Sequence, residues 1–244
     1  MNIIRLDAVD STNDYLKREK NLLTNNFLSV RADIQTAGKG RNSRDWISVP
    51  GLDLTFSVVY NTGVNPQAAS IYAGAAVLRV LKKYISSDDL KIKWPNDIYF
   101  GDSKLCGILC EMVKHDDGFC VIIGIGINVN SEHAGSDKGY ISVFDIISEE
   151  TCLDLLHREI LLSLREIFTD FSYPVPDKIL NEWRDNNCSI GCEVIYICND
   201  IESKGTVTGI NSDCSISVLD SDGIRTTECF DNVIFFEKKA QKAV

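Results

Sequence analysis

The apolar positions change period along the chain, and each period predicts its own kind of element. Short apolar or alternating runs at residues 3–6, 27–34 and 54–60 predict strands, and the last of them, Leu-Thr-Phe-Ser-Val-Val-Tyr, is apolar enough for a buried one. Between the first two lies a helix that the Ser11 or Thr12 hydroxyl can cap by accepting an orphan backbone N–H. Asn65 followed by Pro66 opens a second helix, in which Ala73, Val77, Val80, Leu81 and Tyr84 form a core-facing stripe. Further strands are expected at 90–94, 105–113 and 119–129, the last carrying Gly124 and Gly126. From Thr151 the positions Leu153, Leu156, Ile160, Leu164, Ile167 and Phe171 mark a long amphipathic helix, and Pro176 opens a shorter one reaching Asp185.

After Asn187 the pattern changes to short alternating segments at 193–197, 204–210, 215–219, 224–229 and 233–236, parted by Asn-Ser-Asp and Ser-Asp-Gly turns. That is the pattern of a small antiparallel barrel. The expected division is an α/β (α+β) domain with a mixed sheet at 1–186 and a barrel at 187–238, with the lysine-rich end of the chain frayed.

Composition narrows the function classes. A chain of 244 residues hides roughly 70–75% of its unfolded surface, and 44% hydrophobic with 25% charged residues is a folded composition. The net charge of -10 repels a phosphate backbone, which argues against general nucleic-acid binding. The first residues lack a signal peptide's basic start and apolar run, and no segment approaches a membrane span, so a cytoplasmic protein is expected. Nine cysteines, an odd number scattered from Cys106 to Cys229, read as reduced thiols and not as a disulfide framework. Neither Cys106/Cys110 nor Cys188/Cys192 has a histidine at zinc spacing, and His115, His133 and His157 show no triad or metal spacing.

Against this acidic background, residues 35–46 (Gln-Thr-Ala-Gly-Lys-Gly-Arg-Asn-Ser-Arg-Asp-Trp) gather Lys39, Arg41 and Arg44 beside Gly38 and Gly40. Glycines let a backbone approach a phosphate, and arginine forks hold oxyanions by charge-assisted hydrogen bonds, so the stretch reads as an anion-binding loop or, failing that, a solvated turn. It lacks the P-loop spacing. Gly124-Ile-Gly-Ile-Asn128 lacks the third glycine of a dinucleotide fingerprint; its glycines serve strand packing or let a flat ligand lie on the backbone, with Asn128 as a polar handle. Lys93-Trp-Pro-Asn-Asp97 ends a strand in a turn, with Trp94 extended before Pro95 and Asn96 and Asp97 capping it. Read alone, Lys104 is a solvated residue at a strand edge.

Taken in order, Ser11-Thr-Asn13, Gly-Lys-Gly-Arg-Asn-Ser-Arg-Asp-Trp46, Lys93-Trp-Pro-Asn-Asp97, Lys104-Leu-Cys-Gly-Ile-Leu109 and Gly124-Ile-Gly-Ile-Asn128 resemble the biotin protein ligase family, over almost the whole chain. The resemblance implies a class II synthetase-like catalytic domain followed by an SH3-like barrel, in a short form without the DNA-binding segment of repressor-type members. It implies ATP-dependent formation of biotinyl-5′-AMP, with magnesium, and transfer of biotin to a lysine of a biotin carboxyl carrier protein. Carried over by position, Lys104, Arg41 and Asp97 would be catalytic. Ser11, Thr12, Asn13, Gln35, Lys39, Gly40, Arg41, Lys104, Gly124 and Gly126 would contact biotin. Arg44, Trp46, Lys93, Asn128 and Tyr140 would face the nucleotide, Tyr140 from a covering loop at 131–140. A homodimer through an exposed sheet edge is compatible with this reading, and neither DNA nor membrane is expected as a partner. Ser43 stands where many members have glycine, and Lys39 where many have arginine. Lipoate protein ligase and a non-catalytic biotin sensor are the alternatives, and intact Lys104 and Arg41 weigh against the second.

Overall fold

A computed structural model describes residues 2–61, 65–116, 118–133, 139–198, 201–227 and 233–235. Its main sheet has seven strands in the order β1-β2-β3-β7-β6-β5-β4. These are β1 (Ile3–Val9), β2 (Ser29–Gln35), β3 (Leu54–Asn61), β4 (Leu90–Lys93), β5 (Asp97–Phe100), β6 (Ser103–His115) and β7 (Gly118–Ile127). β1 runs parallel to β2 and the remaining pairs are antiparallel, which makes the sheet mixed as expected.

Strand alternation separates the two faces of this sheet. Val58, Ile123, Ile125 and Ile127 point into the main core, against α2 (Pro66–Tyr84), while Val59 and Ile122 point to a smaller cluster with Leu16, Leu23, Leu28 and Val30 under α1 (Thr12–Arg18). Asn65 caps α2 by accepting from the Gln67 N–H, and Pro66 sits in its first turn. α2 carries five alanines and one glycine, so neighbours approach it closely. Trp183 packs on Gly74 and donates its indole N–H to the Ile71 carbonyl.

The amphipathic stripe of α4 (Leu153–Ile167) buries Leu156, Ile160, Leu164 and Ile167, and α5 (Asp177–Asn186) buries Ile179, Leu180 and Trp183. Chain continues into an antiparallel sheet ordered β11-β10-β9-β8-β12 and consistent with the SH3-like expectation: β8 (Glu193–Cys198), β9 (Ile201–Ile210), β10 (Ile216–Asp220), β11 (Gly223–Thr227) and β12 (Val233–Phe235). Its apolar side, with Val194, Tyr196, Val207 and Ile216, joins the same core as the main sheet.

Two elements depart from expectation. The Lys93–Asp97 stretch ends β4 in a turn as expected, but the turn is the bend of a hairpin, with Lys93 paired to Asp97, so that Asp97 opens a strand, β5, that was not expected. The short α3 (Val143–Ile147) had no periodic signature; it is set by a capping box in which Ser142 and Asp145 exchange side-chain and backbone hydrogen bonds. The covering loop at 131–140, the segment at 224–229 and the frayed end of the chain fall partly or wholly outside the described residues.

Candidate functional site

The floor of the site is a patch of the main sheet where the register aligns small and polar residues. On the α1 side of β3, β7 and β6, Ser57 pairs with Gly124 and Gly124 with Leu109; one row along, Thr55 pairs with Gly126 and Gly126 with Gly107. Without these side chains the sheet is hollowed into a cleft of about 830 Å³. A Cβ on Gly124 would lie 2.5 Å from Asn13 Oδ1, and one on Gly126 2.3 Å from the Trp46 indole. The two strand glycines are therefore covered by Asn13 and Trp46 of the chain itself, where a flat ligand was the expected occupant.

Ser11 caps α1 and so brings Thr12 and Asn13 to the cleft. The Gln35 Oε1 accepts from the Thr12 N–H at 2.8 Å and from its hydroxyl at 3.1 Å. Ser57 Oγ lies 2.6 Å from Thr12 Oγ1 and donates to Asn13 Oδ1, while Asn13 Nδ2 donates to Glu111 Oε2 at 2.8 Å. Lys17 continues the chain, 2.8 Å from Glu111 and 3.0 Å from Asp14. Burial lowers the Lys17 pKa, but Glu111 and Asp14 outweigh it and the net shift is upward.

The basic loop forms one wall. Gly40 N–H donates to the Arg44 carbonyl and Trp46 N–H to that of Gly38, with Asn42 left-handed at φ 54° between them. Lys39 Nζ reaches Asp14 at 2.5 Å, and an Arg41 guanidinium nitrogen lies 3.4 Å from Asn96 Oδ1. Trp46 Nε1 is buried without a hydrogen-bond partner among the described residues, an orphaned donor within the cleft lining.

The opposite wall is the β4–β5 bend and the start of β6. Asn96 is locked to β6, donating its side-chain amide to the Ile108 carbonyl and accepting the Ile108 N–H through its own. A register shift between Ile98 and Tyr99 and the bare Gly107 let Lys104 fold across the strand to Asp97, with Nζ 2.8 Å from Oδ1. The Lys104 ammonium also stands 5.6 Å from the Trp46 ring centre. Its backbone brackets Tyr140, donating to the Gly139 carbonyl and accepting from Ile141. Lys104 is thus three-quarters covered and not a solvated edge lysine.

Ser11, Thr12, Asn13, Gln35, Lys39, Gly40, Arg41, Arg44, Trp46, Lys93, Asp97, Lys104, Gly124, Gly126 and Tyr140 all line this one cleft. Asn128 does not. It is buried, and its amide donates to the Lys104 and Ile141 carbonyls, so it clamps the base of the Lys104 strand. Asn96, expected only as a turn cap, also lines the cleft, while Ser57 and Glu111, which the sequence did not point to, hold Asn13 from behind the floor; Glu111, a charge inside an apolar run, is the available signal.

A family model for the biotin/lipoate A/B protein ligase family matches residues 6–128, and the chain belongs to that family. Among its curated relatives is the bifunctional ligase/repressor BirA of Salmonella typhimurium, 32% identical over 232 residues, covering 91% of this chain and 71% of that protein. The biotin--[acetyl-CoA-carboxylase] ligase of Mycobacterium tuberculosis is 26% identical over 190 residues, 71% of this chain and 70% of that one. Among solved structures, the biotin protein ligase from Aquifex aeolicus in complex with biotin and ATP superposes with a TM-score of 0.81 at 25% identity, over 97% of this chain and 99% of that one.

Proposed function

We propose that the chain is an ATP-dependent biotin–protein ligase, which forms biotinyl-5′-AMP and passes the biotin to a lysine of a biotin carboxyl carrier protein. The observation that carries the reading is the convergence of Lys104, Arg41 and Lys93 on one cleft of a chain whose net charge is -10. In the first step the biotin carboxylate attacks the α-phosphate, a mixed anhydride forms and pyrophosphate leaves. Two anions meet there, so fixed cations are needed where charge builds, and Lys104 and Arg41 supply them in a partly covered site. Asp97 keeps the Lys104 ammonium aimed, and the walls position the reactants. In the second step the carrier amine attacks the acyl carbon and AMP leaves.

The floor residues Ser11, Thr12, Asn13 and Gln35, with Lys39 and Gly40 of the loop, suit biotin, which needs donors and acceptors at one end of an apolar body; Gly124 and Gly126 serve it indirectly, by leaving room for the Asn13 and Trp46 side chains that line the cleft. Arg44, Trp46, Lys93 and Tyr140 offer charge and ring faces to the nucleotide. Magnesium on this reading arrives with ATP as part of the substrate. No group of three or more His, Cys, Asp or Glu side chains gathers among the described residues, and magnesium commonly rests on substrate phosphates with one or two carboxylates. The described cysteine side chains are free thiols, which fits a reducing cytoplasm, and no described helix is long and apolar enough to cross a membrane.

The test is incubation with biotin, Mg-ATP and a biotin carrier domain, followed by mass spectrometry. Biotin added to the carrier lysine is the expected result. Pyrophosphate exchange that responds to lipoate and not to biotin would overturn the biotin assignment.

A further inference from the structure

Asp14 stands one residue beyond the cleft lining, and a helix cation and a loop cation meet at it. Its carboxylate is about four-fifths covered, and it faces two ammonium groups: Lys17 at 3.0 Å on its own helix and Lys39 at 2.5 Å from the basic loop. A carboxylate so desolvated is poorly accommodated without cations. Burial pushes its pKa up, but Lys39 and Lys17 together bring it below the usual carboxylate range. Lys17 is in turn held by Glu111, whose other oxygen takes the Asn13 amide above Gly124. An unbroken line of charge pairs and hydrogen bonds therefore runs from the loop to the cleft floor.

We infer that Asp14 is a positioning residue for the basic loop: by holding Lys39 it keeps residues 35–46 folded against the cleft rim. Lys39 is half-exposed, so this tether is one a substrate can compete with, and it sets how readily the loop opens. The tether itself stands on geometry alone. Its consequence for catalysis, that an intact Asp14–Lys39 pair retains the reactive adenylate, rests on the ligase reading above.

Arg41 and Arg44 give the loop its own reporters, since trypsin must draw the residues around a cut into an extended strand, which the Gly40–Arg44 and Trp46–Gly38 hydrogen bonds oppose while the loop is folded. In the substrate-free chain, Asp14→Asn and Lys39→Met should each speed cleavage at these two arginines about fivefold, the factor expected when roughly 1 kcal/mol of a partly exposed ion pair is lost. The double variant should be cut no faster than either single one, and Asp14→Glu should restore slow cleavage. Cleavage at the native rate in either single variant, or multiplied effects in the double, would overturn the inference. Thermal unfolding of each variant separates loop opening from loss of the fold. With biotin and Mg-ATP added, Asp14→Asn should also raise labelling of a bystander protein about fivefold by adenylate escape. A native chain that makes no adenylate would sink the ligase reading and leave the trypsin result to decide the tether.

Discussion

The wall made by residues 35–46 is held by contacts near the surface, whereas the wall from Lys93 to Lys104 is tied into the deepest part of the molecule. Lys39 pairs with Asp14 while half-exposed, and the loop's own backbone hydrogen bonds join Gly40 to Arg44, Trp46 to Gly38 and Arg44 to Arg41. Trp94, by contrast, is 2% exposed, donates its backbone N–H to the Ser189 hydroxyl oxygen and its indole N–H to the Cys214 carbonyl at 2.9 Å. Cys188 N–H reaches the Ile92 carbonyl beside it. The second sheet thus braces the wall that carries Asp97 and Lys104. Substrates must enter and leave a cleft that also has to fix reacting groups, and the difference between the walls suits a division of those tasks, with the more lightly tied 35–46 side the one expected to yield.

The largest break in that contrast should come from Trp94→Ala. Removing a fully buried indole from between the two sheets costs about 3–5 kcal/mol, read as a lower denaturation midpoint, and should reduce carrier labelling in the fraction that stays folded. Lys104→Ala on the same wall should do the reverse. Labelling falls by about 10²–10³ if the ammonium offsets transition-state charge, while unfolding shifts by about 1–2 kcal/mol, because Asp97, itself about four-fifths covered, loses its cation. A stability loss comparable to that of Trp94→Ala would make Lys104 part of the brace and not of the chemistry.

The α4 face of β2 and β3, the strands on the loop side of the sheet, carries a pH dependence. His157, buried on α4, sits 3.0 Å from Ser29 Oγ with its ring 4.4 Å from that of Phe56, a cleft-lining residue. Burial and then the nearby Arg31 hold its pKa down at about 4. The unfolded chain therefore takes up this proton first: the stabilisation is complete above about pH 6.5, declines as pH falls toward 4, and levels off below. The loss is about 3 kcal/mol at most. Denaturation at pH 7.5 and 4.5 should show it in the native chain, and the difference between the two pH values should shrink in His157→Gln.

Much of this architecture was legible because it is local. The 3.6-residue stripes of α2 and α4 and the apolar run of β7 could be read directly, and the ordered blocks pointed to one cleft. What was not legible depends on contacts between distant residues. Lys104 looks like any edge lysine until Gly107 and the β5 register let it reach Asp97. Asn128 looks like a handle for ligand until its amide is seen to be used by Lys104 and Ile141. Asn13 and Glu111 lie 98 residues apart, so no spacing rule could pair them. β5 is too short, at four residues, to show a period of its own.

The smallest effect, and the sharpest test of the two-wall contrast, compares two glycines on one strand. Gly124 and Gly126 share a face of β7, and each is closed over by a single side chain. At Gly124 that side chain is Asn13, whose oxygen would lie 2.5 Å from a new Cβ and is already fixed by Ser57 while its amide is fixed by Glu111. Asn13 cannot yield without breaking both bonds, so Gly124→Ala should cost about 2–3 kcal/mol of stability. At Gly126 the side chain is Trp46, whose ring belongs to the movable wall and whose indole N–H has no hydrogen bond to lose among the described residues. Gly126→Ala should therefore lift the ring and loosen the loop for about 1 kcal/mol, near the low end for overpacking. Its signature is faster tryptic cutting at Arg41 and Arg44 with a nearly native unfolding midpoint, the opposite of what Gly124→Ala should show. Equal midpoint losses in the two variants would mean that Trp46 is as rigidly seated as Asn13, and the division of labour between the walls would fail.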